Sequence, residues 1–286
     1  MTILVTGATG TVGRHLVHRL LATGHPVRAL TRDPDRADLP AGVELVRGDT
    51  TDAESLRAAF TGVTAAHLIN FGGTYRPLDN GTAIAALAEQ AGVRRVTMLG
   101  GWEEGTLEPA IRASTLQWTQ LRPGEFMANT LDDWGPPLRA EGVVREPHGN
   151  RPSAPVHEAD IAAVAATALT EDGHHGQTYP LTGPEVITPR DKVRHLAEAT
   201  GRDLVFEELT PDQARARWTD QPPALRIFQI APGGPAEKAA FVVDLYGRIP
   251  ESGRTTTDTV ERVTGRPART FAQWAAEHAD AFRPTT

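Results

Sequence analysis

The stretch MTILVTGATGTVG, residues 1–13, decides the fold of this chain. Residues 3–5 form an apolar run typical of a buried parallel strand, and three glycines with G-x-x-G-x-x-G spacing follow it. Residues 14–23 then have a helical pattern. A strand, a glycine turn and a helix N-terminus in this order form a pyrophosphate cradle, because backbone N–H groups point at the phosphates and the helix dipole favours their charge. The flanking strand and helix make the glycine motif specific.

The composition excludes several classes of protein. The chain has 286 residues, a formal net charge of −7 and no cysteine, so we expect neither a disulfide framework nor thiol chemistry. It has no basic stripe and no apolar run of membrane-spanning length, so we expect no nucleic-acid partner and no membrane partner. The first predicted strand begins at the N-terminus, which predicts that no signal peptide is present. We therefore expect a cytoplasmic protein, either a monomer or a homodimer.

Strands and helices alternate along the first part of the chain, which predicts an α/β fold with a Rossmann-type, doubly wound parallel sheet. The predicted strands cover residues 3–5, 27–31, 43–46, 65–69, 95–99 and 117–121. The predicted helices cover residues 14–23, 52–60, 83–90, 107–114 and 158–169. In the last of these helices, Asp160 is expected to act as an N-terminal cap of residues 161–169.

The alternation loosens from about residue 126, where residues 135–137 and 146–155 are rich in turn formers. Beyond residue 179, short apolar pieces are accompanied by predicted helices over residues 190–199, 211–217 and 271–278. We predict a dinucleotide-binding domain over residues 1–181, whose segment 126–155 contributes to the substrate pocket. Residues 182–286 are predicted to form a smaller α/β C-terminal substrate subdomain at the carboxyl edge of the sheet, where open α/β folds bind ligands.

The residues that follow the second predicted strand bear on the choice of nicotinamide cofactor. Enzymes that use NAD place an acidic side chain there, which accepts hydrogen bonds from the adenosine 2′-hydroxyl. Arg32 stands at this point, and its planar guanidinium matches the oxygens of a 2′-phosphate. Asp33 follows near the position of an NAD-selecting carboxylate, and the alternative role of Arg32 is that of a solvated surface side chain. The pattern favours NADP(H) over NAD(H).

Several motifs resemble those of a known superfamily. GATGTVGR at residues 7–14, LTRDP at 30–34 and RGD at 47–49 resemble the atypical short-chain dehydrogenase/reductase superfamily. EPAIRAS at 108–114 and WTQLRPGEFMAN at 118–129, with PVHEADI later in the chain, are similar to the NmrA-like branch. That branch includes NADPH-dependent quinone reductases and NADP-sensing regulators. The resemblance covers about residues 1–185 and implies an NAD(P)-binding protein.

The catalytic pair of ordinary short-chain dehydrogenases is missing from the sequence. In the Tyr-x-x-x-Lys motif of those enzymes, the lysine lowers the pKa of the tyrosine, whose hydroxyl then exchanges a proton with the substrate near neutral pH. The lysines of this chain, Lys192 and Lys238, do not stand four residues after any tyrosine. The tyrosines are Tyr75, Tyr179 and Tyr246. The serine or threonine usual at the end of the fifth strand is also replaced, by two glycines.

This absence restricts the reactions that we expect. Hydride addition to a simple ketone forms an alkoxide that needs a proton donor or a strong oxyanion hole. Hydride addition to a quinone forms a phenolate, comparable to a tyrosine side chain with a pKa of about 10, which water can protonate. The sequence is therefore compatible with a quinone or conjugated-enone reductase. It is equally compatible with a protein that binds the dinucleotide without turning it over.

The predicted cofactor site combines the glycine loop with the ends of the following strands. The candidate residues, from the motif and the resemblance together, are Gly7, Thr9, Gly10, Thr11, Val12, Gly13, Arg32, Asp49, Thr50, Asn70 and Gly100. Asp49 and Thr50 are assigned to the surroundings of the adenine. The resemblance implies that Asn70 hydrogen-bonds the nicotinamide ribose; its alternative role is that of a turn residue at the strand end.

The predicted substrate pocket is an aromatic and thioether wall for a planar ligand, and its candidate residues are Trp102, Phe126, Met127 and Trp134. The alternative is that these side chains are core. Tyr75 is expected to be exposed or to line the pocket, and His67 is expected to be a hydrogen-bonded core histidine. No catalytic residue is identified. The pair His174-His175 lacks the further ligands of a metal site, so we expect no metal.

Three functions are compatible with these features. The leading hypothesis is an NADPH-dependent oxidoreductase that transfers a hydride to a small planar acceptor, a quinone or a conjugated enone. The second is a non-catalytic module that senses NADP(H) and reports to a protein partner. The third is a biosynthetic tailoring enzyme that uses the fold for a non-redox cyclisation or isomerisation.

Overall fold

The computed structural model describes residues 1–73, 76–100, 103–248 and 253–284. Numbered along the chain, its strands are β1 (Thr2–Val5), β2 (Val27–Thr31), β3 (Glu44–Arg47), β4 (Val63–Ile69), β5 (Arg95–Leu99), β6 (Gln117–Pro123), β7 (Val143–Glu146), β8 (Gln177–Leu181) and β9 (Val205–Glu208). Its α-helices are α1 (Gly13–Ala22), α2 (Arg57–Phe60), α3 (Gly81–Gln90), α4 (Leu107–Arg112), α5 (Asn129–Ala140), α6 (Glu158–Thr170), α7 (Pro189–Thr200), α8 (Pro211–Asp220), α9 (Arg226–Ile230), α10 (Pro235–Gly247), α11 (Thr259–Thr264) and α12 (Phe271–Glu277).

These elements form two compact units, each built from separate stretches of chain. The first unit consists of Met1–Pro123, Glu158–Leu181 and Thr259–Arg266. The second unit consists of Gly124–His157, Thr182–Asp258 and Pro267–Thr286. One change of unit falls after residue 181, where the sequence predicts a domain boundary. The structure adds further changes of unit, because residues 124–157 group with the C-terminal part and residues 259–266 group with the N-terminal part.

The first unit is a parallel sheet covered by helices. Its strands hydrogen-bond in the order β3-β2-β1-β4-β5-β6-β8, and every neighbouring pair is parallel. From β1 the chain builds the sheet outward first to β2 and β3, and then in the other direction from β4. This reversal is the topological switch point of a doubly wound fold, and ligands bind outside the carboxyl ends of the strands there. The predicted Rossmann-type α/β fold is confirmed.

Both faces of this sheet carry buried side chains. Successive residues of a strand point to opposite faces. Leu4, Leu68 and Met98 belong to a cluster that includes apolar side chains of α2, α3 and α4. Ile3 and Val5 point to the other side of β1 and are also completely buried. Helix α1 and the alanine-rich helix α6 pack against each other and against the strands. Near-continuous apolar strands of this kind are typical of a sheet with helices on both faces.

The second unit has a smaller sheet than the first unit and consists mainly of helices. Strands β7 and β9 form a parallel pair. Helices α5, α7 and α12 contribute to one buried cluster, in which the rings of Phe271 and Trp274 lie 5.3 Å apart. Helices α8, α9 and α10 form another buried cluster around Trp218 and Phe228. The second unit therefore consists of two helical clusters and one strand pair.

The structure corrects the prediction that residues 135–137 form a turn. Pro136 and Pro137 lie inside α5, although proline removes a backbone donor and disfavours a helix interior. Trp134 and Leu138, which flank them, are only 4% and 0% exposed. Burial of these two side chains in the second unit outweighs the local cost of the prolines. Local composition alone could not show this, because the compensation comes from tertiary packing.

Other elements were also missed or misplaced. Besides α5, the sequence prediction lacks β7, β8, β9, α9, α10 and α11. Strand β8 is an edge strand in which only Tyr179 and Leu181 are buried. Asp160 is not a cap, because α6 begins at Glu158 and Asp160 lies in its first turn, where the helix dipole favours a carboxylate. The predicted helix over residues 52–60 is a 3-10 turn followed by α2. The remaining predicted strands and helices are confirmed, with ends shifted by at most three residues. In the described ranges, no helix has the combination of length and apolarity that crossing a bilayer requires.

Candidate cofactor site and substrate pocket

The loop between β1 and α1 is a tight turn that depends on glycine. Gly7 has a φ of +62°, and its carbonyl oxygen accepts a hydrogen bond of 2.9 Å from the N–H of Gly10. A Cβ atom on Gly13 would lie 2.8 Å from the Cα of Ala8 and would overlap the carbonyl oxygen of Gly7. The missing side chains therefore let the start of the helix approach the end of the strand, as a pyrophosphate-binding turn requires.

The start of α1 leaves backbone donors free for a ligand. This ten-residue helix has no side-chain cap and no acidic residue in its first turn. Within the part of the chain that the structure describes, the N–H groups of Thr11 and Val12 have no protein acceptor. The guanidinium of Arg14 donates to the carbonyl oxygen of Thr9 at 2.9 Å and so braces the loop. Free N–H groups at the positive end of a helix fit a pyrophosphate group.

Arg32, directly after β2, lies beside the loop that follows β4. A Cβ atom on Gly73 would lie 2.5 Å from Nη1 of Arg32, so the guanidinium rests against backbone there. The Arg32 side chain is exposed and makes no ion pair with any described residue. The Asp49 carboxylate accepts hydrogen bonds from the N–H and hydroxyl of Thr51, at 2.9 and 2.8 Å. These bonds, together with the nearby charge of Arg32, hold the pKa of Asp49 below its ordinary value. Arg32 and Asp49 are thus brought together, next to the buried Thr50.

Asn70, at the end of β4, is completely buried and is fixed by its neighbours. Its Nδ2 donates to the carbonyl oxygen of Glu103 at 3.1 Å and to the carboxylate of Glu108, which is also completely buried. Both partners accept hydrogen bonds, so the orientation of the amide is determined. The Oδ1 atom of Asn70 is then left without a hydrogen-bond partner among the described residues. A buried acceptor without a donor costs about 1–3 kcal/mol, and a ligand donor would remove this cost.

Gly100, which follows β5, is not required by packing. A Cβ atom there would have its nearest neighbours at 3.8 Å, the Oε1 of Glu108 and the carbonyl oxygen of Leu121. A serine or threonine would therefore fit at this position. Because Gly100 stands there instead, the carboxyl edge of the sheet lacks a hydroxyl group at this position. The glycine therefore affects the chemistry of the site and is not required by steric crowding.

The described part of the chain contains no tyrosine–lysine pair. Lys192 is 3% exposed and donates to the carboxylate of Glu125 at 2.6 Å, and Lys238 donates to the carbonyl oxygen of Gln229. Burial raises the pKa of Tyr179, and it raises the pKa of Tyr246 well above the ordinary value. Both shifts are opposite to the one that an activating lysine produces. Tyr75 lies outside the described residues.

The predicted aromatic wall is not brought together as one surface. Trp102 lies outside the described residues. Met127 and Trp134 are 1% and 4% exposed and belong to the core cluster of the second unit. Phe126 is partly buried and forms an isolated bridge with Val156. Met127 and Trp134 are therefore core residues, as the alternative interpretation of the sequence has it. Phe126 retains exposed surface.

His67 is the hydrogen-bonded core histidine that the sequence predicts. It is 1% exposed, its Nδ1 lies 2.8 Å from the hydroxyl of Thr97, and burial lowers its pKa to about 4. In the described ranges, histidine and carboxylate side chains form no group of three or more that could hold a metal ion.

A network of charged side chains in the second unit, most of them buried, is not apparent from the sequence. Glu146 is 3% exposed, and its carboxylate accepts hydrogen bonds of 2.6 Å from the indole of Trp134 and from the guanidinium of Arg151. Burial favours a higher pKa for Glu125, but the ammonium of Lys192 outweighs it and holds that pKa below its ordinary value. The only sequence signal for this network was the rarity of lysine, which makes a lysine at position 192 conspicuous.

Asp133 belongs to the same unit, and the pKa of its carboxyl group is raised. Burial raises the pKa of Asp133 to about 7, against the effect of a hydrogen bond of 2.7 Å from the N–H of Arg226. The charges of Glu146 and Glu125 contribute further to the increase. Asp133 is therefore poised to exchange a proton near neutral pH.

Comparison with known proteins agrees with the geometry of the glycine loop. A family profile described as NAD(P)H-binding matches residues 7–108. The chain is 41% identical to the (4-alkanoyl-5-oxo-2,5-dihydrofuran-3-yl)methyl phosphate reductase of Streptomyces griseus, and the alignment covers 99% of both chains. The chain belongs to the family of this reductase, whose cofactor-binding segment matches the NAD(P)H-binding profile. Its fold is also that of NmrA, whose crystal structure in complex with NADP matches with a TM-score of 0.66 and 17% identity, over 96% of this chain and 94% of the other. The resemblance identified from the sequence motifs is confirmed.

A further relative and a solved structure are also similar to this chain. The protein is 33% identical to the NAD(P)H azoreductase of Xenophilus azovorans, over 98% of this chain and 99% of the relative. Its fold matches the crystal structure of the quinone oxidoreductase QOR2 of Escherichia coli in complex with NADPH, with a TM-score of 0.77 and 23% identity. That match covers 96% of this chain and 99% of the other. These relatives place the protein among the NAD(P)H-dependent oxidoreductases.

Proposed function

We propose that this protein is an NADPH-dependent reductase that transfers a hydride to a small, planar, conjugated acceptor, a quinone or an enone. One observation carries the proposal. In the described part of the chain, an intact pyrophosphate cradle is combined with tyrosines that have no lysine partner. Such a site suits acceptors whose reduction requires correct orientation against the hydride donor but no dedicated general acid.

The chain's own residues have distinct tasks in binding. The N–H groups of Thr11 and Val12 would hold the pyrophosphate, and Arg32 would bind the 2′-phosphate that distinguishes NADP from NAD. The buried Oδ1 of Asn70 would accept a hydrogen bond from a hydroxyl of the nicotinamide ribose. The buried carboxylate of Glu108 supports this role because it holds the opposite end of the amide. The bound cofactor supplies the hydride.

The protonation of the product explains why no specialised acid is needed. Hydride addition to a quinone or to a conjugated enone places the negative charge on a delocalised oxygen. A phenolate has a conjugate acid with a pKa of about 10, so water can protonate it. The protein then contributes mainly by holding the flat acceptor against the hydride donor, which converts a bimolecular encounter into a positioned one.

The enone form of the proposal has support of its own. The relative from Streptomyces griseus is named as the reductase of a 5-oxo-2,5-dihydrofuran that carries an alkanoyl group and a methyl phosphate. The ring double bond in such a compound is conjugated with carbonyl groups. At 41% identity over 99% of both chains, this relative favours an acylated unsaturated lactone as the acceptor class, with quinones as the second candidate.

The test compares acceptors that differ in conjugation. Purified protein is mixed with NADPH and with menadione, an acylated unsaturated lactone or cyclohexanone, and the nicotinamide absorbance at 340 nm is followed. We expect turnover of the conjugated acceptors and a kcat/KM for cyclohexanone at least about 100-fold lower, the usual contribution of a general acid. Equal turnover of cyclohexanone would contradict the proposal. Tight NADPH binding without any turnover would favour a sensing module, and a redox-neutral product would favour a non-redox enzyme.

A further inference from the structure

We propose that a cavity in the second unit is an anion site that holds the phosphate monoester of the acceptor. The cavity has a volume of about 290 Å³, close to the lower end of the range for ligand pockets. Its polar lining residues include His148, Asn150, Arg151, Glu208, Tyr246 and Arg254. The part of the proposal that concerns the acceptor rests on the reductase function proposed above; the part that concerns anion binding does not.

Arg151 is held rigidly in the wall of this cavity. Its side chain is 12% exposed, its Nη2 donates to the Glu146 carboxylate at 2.6 Å, and its Nη1 donates to the carbonyl oxygen of Pro147 at 3.2 Å. The guanidinium carbon lies 3.9 Å from the centre of the Tyr246 ring. A guanidinium has five N–H donors, and the described residues account for two of them. A preorganised arginine with spare donors is suited to phosphate oxygens.

Arg254 gives the cavity its excess positive charge. It is exposed and has no ion-pair partner in the described ranges. The other charges are balanced, because Arg151 is paired with Glu146, and Glu208 is paired with Arg190 outside the cavity lining. One unpaired guanidinium facing a polar cavity favours an anionic ligand, and the carboxylate of Glu208 is already neutralised.

The backbone at His148 is a second, independent indication of a site. His148 has a φ of +58°, and it is the one residue other than glycine with a positive φ in the described part of the chain. Its imidazole faces Gly247, where a Cβ atom would lie 3.3 Å from two ring atoms. Residues other than glycine in the left-handed region are uncommon and cluster at functional sites. The residue with this uncommon backbone conformation lines the same cavity as Arg151 and Arg254.

The ligand chemistry follows from these groups. Two guanidinium groups, a phenol and an amide provide many donors, and the one carboxylate among the described lining residues is paired with Arg190. A phosphate monoester, with three oxygen acceptors and up to two charges, matches this set better than a neutral group. The anion is either free phosphate or a phosphate that is part of the acceptor, and the experiment distinguishes these sources.

The first arm measures binding of inorganic phosphate by calorimetry to protein saturated with NADP⁺, which fills the Arg32 site. The variant Arg254→Gln removes an exposed charge without disturbing a core, and Arg248→Gln is the matched control, an exposed arginine outside the cavity. We expect the wild type and Arg248→Gln to bind with the same Kd and Arg254→Gln to bind at least about 10-fold more weakly, as for the loss of a charged hydrogen bond. No binding to the wild type, or equal Kd values for all three proteins, would overturn the anion site.

The second arm identifies the source of the anion. The kcat/KM is measured for an acylated unsaturated lactone that carries a phosphate monoester and for the same lactone with a free hydroxyl. We expect the ratio of the two values to fall about 10-fold in Arg254→Gln and to stay at the wild-type value in Arg248→Gln. An unchanged ratio in Arg254→Gln would overturn the assignment to the acceptor. Reduction of the hydroxyl compound by the wild type tests the reductase function separately. The proposed function and the proposed phosphate site can therefore fail independently.

Discussion

The carbonyl oxygen of Gly7 fills the space that a side chain on Gly13 would need. The two residues are six positions apart, and the turn between them carries the Gly10 N–H hydrogen bond to that same carbonyl group. Because backbone atoms form the obstacle, no rotation of a side chain can relieve it. The start of α1 is thereby set directly against the end of β1.

Replacement of Gly13 by alanine should therefore abolish NADPH binding and destabilise the protein. Overpacking against backbone costs about 3 kcal/mol or more. Calorimetry with NADPH and thermal unfolding measure both effects. Gly100→Ala is the control for folding, because its Cβ would meet only ordinary contacts at 3.8 Å. A Gly13→Ala protein with wild-type affinity would show that the glycine loop does not cradle the cofactor.

Replacement of Arg32 by glutamine should weaken NADPH binding selectively. The exposed guanidinium beside Gly73 has no ion pair to any described residue, so its loss should leave the fold intact. Loss of charged hydrogen bonds to a phosphate corresponds to about a 10- to 100-fold higher Kd for NADPH, with little change for NADH. Fluorescence titration with both nucleotides measures this, with Arg94→Gln, an exposed arginine directly before β5, as the control. If both affinities change by the same factor, Arg32 does not select the 2′-phosphate.

The buried pair of Asn70 and Glu108 should behave as one unit. Replacement of Glu108 by alanine leaves the Asn70 amide without its buried acceptor and should cost about 2–3 kcal/mol of unfolding free energy. In a double-mutant cycle with Asn70→Ala, the coupling energy should be about 1 kcal/mol or more. Urea unfolding provides the measurements. Glu104→Ala, which breaks a half-exposed ion pair with Arg112, should cost no more than about 1 kcal/mol. Additive effects of the Asn70 and Glu108 variants would contradict the interaction.

The raised pKa of Asp133 should make stability depend on pH in a defined direction. Because the pKa is about 7 in the folded protein and 3.8 ordinarily, the folded state binds more protons between these values. The contribution of Asp133 to the free energy of unfolding should be greatest below about pH 4. It should decrease as the pH rises through 7. The slope is at most about 1.4 kcal/mol per pH unit in this window.

The pH dependence can be measured by urea unfolding between pH 5 and 8. Asp133→Asn keeps an acceptor for the Arg226 N–H and should lose this component of the slope. Asp132→Asn, an exposed neighbour, should retain the wild-type profile. A wild-type slope in Asp133→Asn would show that the carboxyl group is already ionised across the whole range.

The sequence predicts features that depend on neighbours along the chain. The glycine loop, the alternation of strands and helices and the core position of His67 follow from local spacing and apolar runs. The position of Arg32 after β2 is of the same kind, since the end of a strand in an open sheet is a defined place. The Asn70–Glu108 contact joins residues 38 positions apart, and no local pattern indicates it.

The features that the sequence prediction missed depend on tertiary contacts. Pro136 and Pro137 have the composition of a turn, but burial of Trp134 and Leu138 keeps α5 helical. Trp134 was a pocket candidate because aromatic residues occur in both pockets and cores, and composition does not distinguish them. The partners of Arg151 come from β7 and α10, so its role becomes visible only in the folded unit.

The chain passes between the two units five times, at each break between the stretches that compose them. Neither unit can therefore be excised as one continuous piece. A fragment ending at residue 181 would keep Trp134 and Leu138 while losing the helices that bury them, and it should aggregate. A single genetic crossover likewise cannot exchange one whole unit for that of a paralogue, because each unit is interrupted by stretches of the other.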